Sequence, residues 1–217
     1  MALSTRPSLA LALGFGALMA APALAEPGPG EVEVRDADGR LVGGRIGGAD
    51  ALQKAEARVH AGALRRTDDS RTWSIIAGRG RYGDVVIREP NLTVTSAPGA
   101  AVRISGAGPT ANTAGNCIRI TRGGVRVQRL TCVSPSGTGI LVTPRPGDGG
   151  TALESVAVTG AGANGITVKG GASTTITRPV IVRAADDGIR LQDLEPGSHT
   201  ISGGRVDRSG DDGIDLV

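Results

Sequence analysis

Asn164-Gly165-Ile166-Thr167-Val168 is answered by Asp187-Gly188-Ile189-Arg190-Leu191 and again by Asp212-Gly213-Ile214-Asp215-Leu216. Two earlier stretches, Asn116-Cys117-Ile118-Arg119-Ile120 and Thr138-Gly139-Ile140-Leu141-Val142, carry the same phrase, so the isoleucines lie 22, 26, 23 and 25 residues apart. Within each phrase the isoleucine and the residue two positions on are apolar, the period of a strand with one buried face. Between phrases runs a second β-rich stretch, as in Val125 to Val133, Leu153 to Thr159, Thr174 to Val182 and His199 to Val206. Glycine, serine and aspartate break the chain at the corners.

A repeat of this length without apolar spacing of three and four excludes helical and leucine-rich solenoids. A coil of short parallel strands remains. Residues one repeat apart then stack at about 4.8 Å, and each isoleucine sits on its predecessor in a dry interior column. The glycine before the isoleucine is expected to supply a corner with positive φ. The Asn, Thr, Asn, Asp, Asp column before it is expected to bond neighbouring backbone groups.

Outward from the repeat, Asp50 to Ala63 places Leu52, Ala55, Val59 and Ala63 on one helical stripe, a suitable lid for an otherwise open sheet edge, with Asp50 as N-cap. Trp73 to Ala77, Val85 to Ile87, Leu92 to Thr95 and Val102 to Ile104 read as the first strands. At the amino terminus, Arg6, the short apolar run Leu9 to Met19 and Ala23-Leu24-Ala25 have the order of a cleavable export leader, too short to span a bilayer. The expected organisation is a leader at 1–25, a flexible segment at 26–49 and a coil domain at 50–217, with the helix at 50–63 and rungs from 72 onward. The location implied is secreted or periplasmic, without a membrane-spanning segment. The carboxyl end stops inside a strand, which makes end-to-end self-association a further expectation.

The chain carries 22 arginines against two lysines and has a formal net charge of +3, which falls to +2 without Arg6. The cations are interleaved with acids, and beyond the leader the aromatics are Trp73 and Tyr82 alone. Nucleic acid is therefore not an expected partner. Cys117 and Cys132 are either a disulfide, which would gain about 3 kcal/mol from closing the loop, or two buried thiols. His60 and His199 are too far apart in the pattern for a shared metal site.

The amphipathic helix is followed by Ile75-Ile76-Ala77-Gly78, Tyr82-Gly83-Asp84-Val85-Val86-Ile87, Leu92-Thr93-Val94 and Val102-Arg103-Ile104-Ser105-Gly106, and then by the Asp-Gly-Ile repeats. In these features the chain resembles the pectate-lyase-like superfamily of right-handed parallel β-helices, over about residues 50 to 217. The resemblance implies an all-β right-handed coil and an acidic, uronate-bearing polysaccharide as partner. Of the polygalacturonase motifs only the paired aspartates have a counterpart, and the Asp-Pro-His signature of the alginate epimerases is absent. Lyases of the superfamily use a lysine or arginine base beside acids that hold Ca²⁺, and those residue types occur here.

The register lists the outward residues of the repeated sheet: Arg119 and Thr121, Leu141 and Thr143, Thr167 and Lys169, Arg190 and Gln192, then Asp215, with Asp186, Asp187, Asp211 and Asp212 along the edge. As a lyase, the chain would use Lys169 and Arg190 as base and carboxylate clamp, since neutralising a uronate eases removal of its α-proton. As a hydrolase it would use Asp187 and Asp212, about 5 Å apart on adjacent rungs, nearer the retaining than the inverting spacing. Polygalacturonases invert, so geometry and resemblance disagree. Arg119, Thr167, Gln192 and Asp215 would contact the polymer. Asp186, Asp187, Asp211 and Asp212 could together hold Ca²⁺, the one cofactor suggested. Against all of these stands a solvated, corner-capping role with no chemistry, as in a surface scaffold.

Overall fold

A computed structural model describes residues 25–63, 72–106, 114–171, 173–194 and 196–217. Apart from Ala25, the expected leader lies outside the described residues. The segment read as flexible at 26–49 carries β1 (Glu31–Arg35) and β2 (Ile46–Gly47), which pair antiparallel, and β1 pairs in turn with the first strand of the coil. Val32 and Val34 are fully buried, so this segment is part of the core. α1 (Ala51–Ala63) follows.

The chain then lays down strands in threes: β3 (Trp73–Ala77), β4 (Gly80–Tyr82) and β5 (Val85–Ile87), then β6 (Leu92–Ser96), β7 (Val102–Ser105) and β8 (Ile118–Ile120). Next come β9 (Arg126–Gln128), β10 (Thr131–Val133) and β11 (Ile140–Val142), then β12 (Thr151–Glu154), β13 (Ala157–Thr159) and β14 (Ile166–Lys169). Last are β15 (Ser173–Thr177), β16 (Val180–Val182) and β17 (Ile189–Gln192), then β18 (Ser198–Ser202), β19 (Arg205–Asp207) and β20 (Ile214–Leu216). Each member of a triplet joins a different sheet, in parallel with its counterparts from the turns before and after. The result is a parallel β-helix of about five turns. The first sheet runs β2-β1-β3-β6-β9-β12-β15-β18, the second β4 to β19 and the third β5 to β20.

The isoleucines of the repeat form one inner stack, in the register Val85, Ile118, Ile140, Ile166, Ile189, Ile214, with Ile87, Ile120, Val142, Val168, Leu191 and Leu216 beside it. The first sheet contributes Ile75, Val94, Val127, Leu153, Ile176 and Ile201, and the second Tyr82, Ile104, Cys132, Val158, Ile181 and Val206. Ile214 and Leu216 on the last turn are exposed, and burying each aliphatic side chain of the inner turns stabilises the coil by roughly 2 kcal/mol. Burial pushes the Tyr82 phenol up to about 12, and its hydroxyl donates to the Gly78 carbonyl at 2.8 Å. Cys117 and Cys132 are joined by a buried disulfide with Cα atoms 5.8 Å apart, which decides between the two readings left open above.

Two expectations about the corners change. The stretches read as single β runs are each two strands, because one left-handed residue turns the chain from the first sheet into the second. Arg129 (φ 54°), Ser155 (φ 51°) and Arg178 (φ 51°) do this on successive turns, and on the next Gly203 (φ 63°) does so together with Gly204 (φ 85°). Gly139, Gly165 and Gly188, expected to have positive φ, are not among the left-handed residues. They are required by closeness instead. A Cβ on Gly165 would lie 2.5 Å from the Gly188 carbonyl oxygen and 2.5 Å from Ile181 Cγ2, where no side chain fits.

The column before those glycines behaves as expected. Asn164 Oδ1 accepts the Asp187 N–H at 2.9 Å, and Asp187 Oδ1 accepts the Asp212 N–H at 3.1 Å. α1 packs on β1, β2, β3 and β5. β5 is the outermost strand of the third sheet, and its open edge is met by helix side chains. Gln53 Oε1 accepts the Val86 N–H and Glu56 Oε1 the Arg88 N–H, both at 2.9 Å. An edge that would otherwise leave buried donors unpaired is thereby satisfied. Asp50 occupies the N-cap position, its carbonyl accepting the Lys54 N–H at 3.0 Å, while its carboxylate turns to the Lys54 ammonium. That side-chain bond lowers the Asp50 pKa.

Candidate functional site

Strand alternation turns one residue in two of the third sheet outward, and the register brings the nominated residues into two lines. Val86, Arg119, Leu141, Thr167, Arg190 and Asp215 form one column, and Lys169 beside Gln192 belongs to the next. Arg119, Thr167, Arg190, Gln192, Asp215 and Lys169 therefore do share one face, in the order the repeat requires.

What these side chains touch is the protein itself. Arg190 Nη1 lies 3.4 Å from Asp187 Oδ2 and its Nε 3.6 Å from Asp215 Oδ2, so the guanidinium sits between two carboxylates. The Lys169 ammonium is 3.5 Å from Asp193 Oδ2. Thr167, although on the outer column, is buried, and its hydroxyl accepts from Asn164 Nδ2 at 3.1 Å. A clamp already holding two carboxylates has little positive field left for a third.

The aspartates divide in the same way. Asp187 is buried, with one oxygen on the Asp212 N–H and the other on Arg190. Asp212, Asp186 and Asp211 are exposed. Asp186 and Asp211 are linked through the backbone, the Asp211 N–H donating to the Asp186 carbonyl at 3.2 Å. Among the described residues, no group of three or more His, Cys, Asp or Glu side chains converges as a metal site, and these four aspartates are no exception. Asp187 and Asp212 do occupy equivalent positions on adjacent turns, but their environments differ through the backbone bond that one makes to the other.

His60 pairs through Nδ1 with Glu89, and His199 lies in another sheet on the inner column Thr151, Thr174, His199. They share no site. Both His199 ring nitrogens and the hydroxyls of Thr151 and Thr174 are buried without a hydrogen-bond partner.

Sequence reasoning missed Asp193, the partner of Lys169, because it lies past the strand end where no repeat marks it. It also missed two carboxylates that organise loops. Asp148 takes the Arg122 guanidinium at 3.0 Å and the backbone N–H groups of Gly123 and Arg145. Burial works to raise its pKa, but the Arg122 bond and the two backbone donors together lower it. Glu33 is buried between Arg35 (2.8 Å) and Arg45 (2.9 Å). Of the two partners only Arg35, two residues on in the same strand, was near enough in sequence to be a sign. Among the described residues, no helix is long and apolar enough to cross a membrane. Comparison with protein-family models, with curated proteins and with solved structures finds no match to this chain in any of the three.

Proposed function

We propose that the chain is an exported, right-handed β-helix of the pectate-lyase-like kind whose third-sheet face binds an acidic, uronate-bearing polysaccharide as a non-catalytic scaffold. In this reading 1–25 is a cleaved leader and the protein works outside the cytoplasm. α1 closes the amino end of the coil. The observation that carries the non-catalytic part is the engagement of three of the four residues nominated for catalysis, the exposed Asp212 being the fourth. Arg190 is held by Asp187 and Asp215, Lys169 by Asp193, and Asp187 by the Asp212 backbone. A base, a clamp and an acid committed to their own protein are structural groups. Support for the polymer comes from the regular outward column of the third sheet, since a ladder at constant spacing suits a ligand that repeats.

The test is a panel of pectate, alginate and neutral glucans, with and without Ca²⁺. It is scored by ultraviolet absorbance for unsaturated ends, by reducing sugar, and by retardation of the protein in gels containing each polymer. Retardation by the uronate polymers alone, without products, is the expected result. Products that vanish in Lys169→Ala or Asp212→Ala would replace the scaffold with a lyase or a hydrolase. Equal migration in every gel would remove the polysaccharide.

A further inference from the structure

The second sheet carries a different kind of surface at its first two strands. Arg81 in β4 and Arg103 in β7 are register partners on adjacent parallel strands. Their neighbours Tyr82 and Ile104 point inward and are buried, so both arginines point outward, and both are exposed. Among the described residues, neither side chain makes an ion pair or a hydrogen bond. Several other outward arginines of the coil have a carboxylate at hand: Arg126 and Arg178 share Glu154, Arg190 has Asp187 and Asp215, and Arg205 has Asp207. Two like charges directly across from each other destabilise a sheet. Here two such charges stand side by side without the carboxylate that those four arginines have.

We propose that Arg81 and Arg103 form a binding site for a phosphate monoester group on the outer face of the second sheet. The charge and the donor count select this chemistry. One guanidinium fork saturates the two oxygens and the single charge of a carboxylate, so a carboxylate would leave the second arginine uncompensated. A phosphate monoester brings about −1.5 to −2 charges and three acceptor oxygens, enough for both forks at once. Thr131 is the next residue in the same outward column and adds a hydroxyl on the neighbouring strand. Arg79 is also exposed, and it lines a separate cavity of about 320 Å³ together with Glu26. The site is on a different sheet from the polysaccharide face, and either reading can fail alone.

Calorimetric titration at low ionic strength and pH 8 compares inorganic phosphate with acetate. The expected result is at least about tenfold tighter binding of phosphate, and a loss of at least about tenfold in the Arg81→Gln/Arg103→Gln double variant. Because both side chains are exposed, the double variant is expected to keep the circular dichroism of the parent and to melt no lower than it. Glucose 6-phosphate and phosphatidylcholine vesicles containing phosphatidic acid then distinguish a soluble ester from a lipid headgroup as the source. Equal affinity for acetate and phosphate overturns the proposal, and so does unchanged phosphate affinity in the double variant.

Discussion

Arginine faces outward on both the third and the second sheet, at the same strand spacing, and Arg190 on the one is treated in the opposite way from Arg81 and Arg103 on the other. On the third sheet Arg190 is enclosed by Asp187 from its own turn and Asp215 from the next. On the second sheet Arg81 and Arg103 face each other across adjacent strands with no acid in contact among the described residues. The first arrangement consumes charge to hold the coil together, and the second leaves charge over. A charged residue on a regular surface is therefore informative only together with its partners.

Substitutions should separate the two faces. The largest effect is expected for Asp187→Ala, which orphans the Asp212 N–H and takes one of two partners from Arg190. A loss of about 2–4 kcal/mol in urea unfolding is expected. Asp187→Asn, which keeps the backbone bond as Asn164 does one turn earlier, should cost about 1 kcal/mol or less. If both variants lose the same amount, the backbone bond is not what matters at Asp187. On the second sheet, Arg81→Gln/Arg103→Gln should gain about 0.5 kcal/mol at low salt, and the gain should disappear when salt is raised. A loss there would mean that the pair is structural after all.

The smallest effect is a slope instead of a step, and it comes from Glu56 at the outer edge of the third sheet. Burial raises the pKa of this carboxyl above its ordinary value, against the bonds from Arg88. Its contribution to stability is thus fully present below the unfolded value near 4.5 and is lost as pH rises through the higher folded value. Glu56→Gln should flatten that part of the stability profile, so that variant and parent draw apart in the variant's favour from about pH 4.5 upward. Melting curves across that range that remain parallel would contradict the assignment.

The coil and the third-sheet register were legible because the isoleucine repeat is strict and its strands alternate without interruption. The second sheet was not. Arg129, Ser155 and Arg178 turn the corner in a conformation that only glycine announces in a sequence, so two strands read as one. β4 was missed because Gly80-Arg81-Tyr82 offers a single inward residue. The nominated surface residues were placed on the right face, since alternation alone decides that. Their partners were not visible. Asp193 and Asp187 act through side-chain directions that spacing does not carry, and Arg81 and Arg103 stood outside the five phrases that drew attention to the third sheet.

The glycine column holds one further consequence. The space that a Cβ would need at Gly139, Gly165 and Gly188 is taken in each case by the carbonyl oxygen of the next glycine in the column, at 2.5 Å, whereas at Gly213 nothing lies within 4 Å. Whatever residue follows, that oxygen remains, so intolerance at this position is conferred by the layer lying over it. Alanine scanning of the four glycines would act as a gauge of stacking. Harm at the first three with indifference at Gly213 marks a bare edge, and harm at Gly213 as well would reveal that another layer rests there in the working protein.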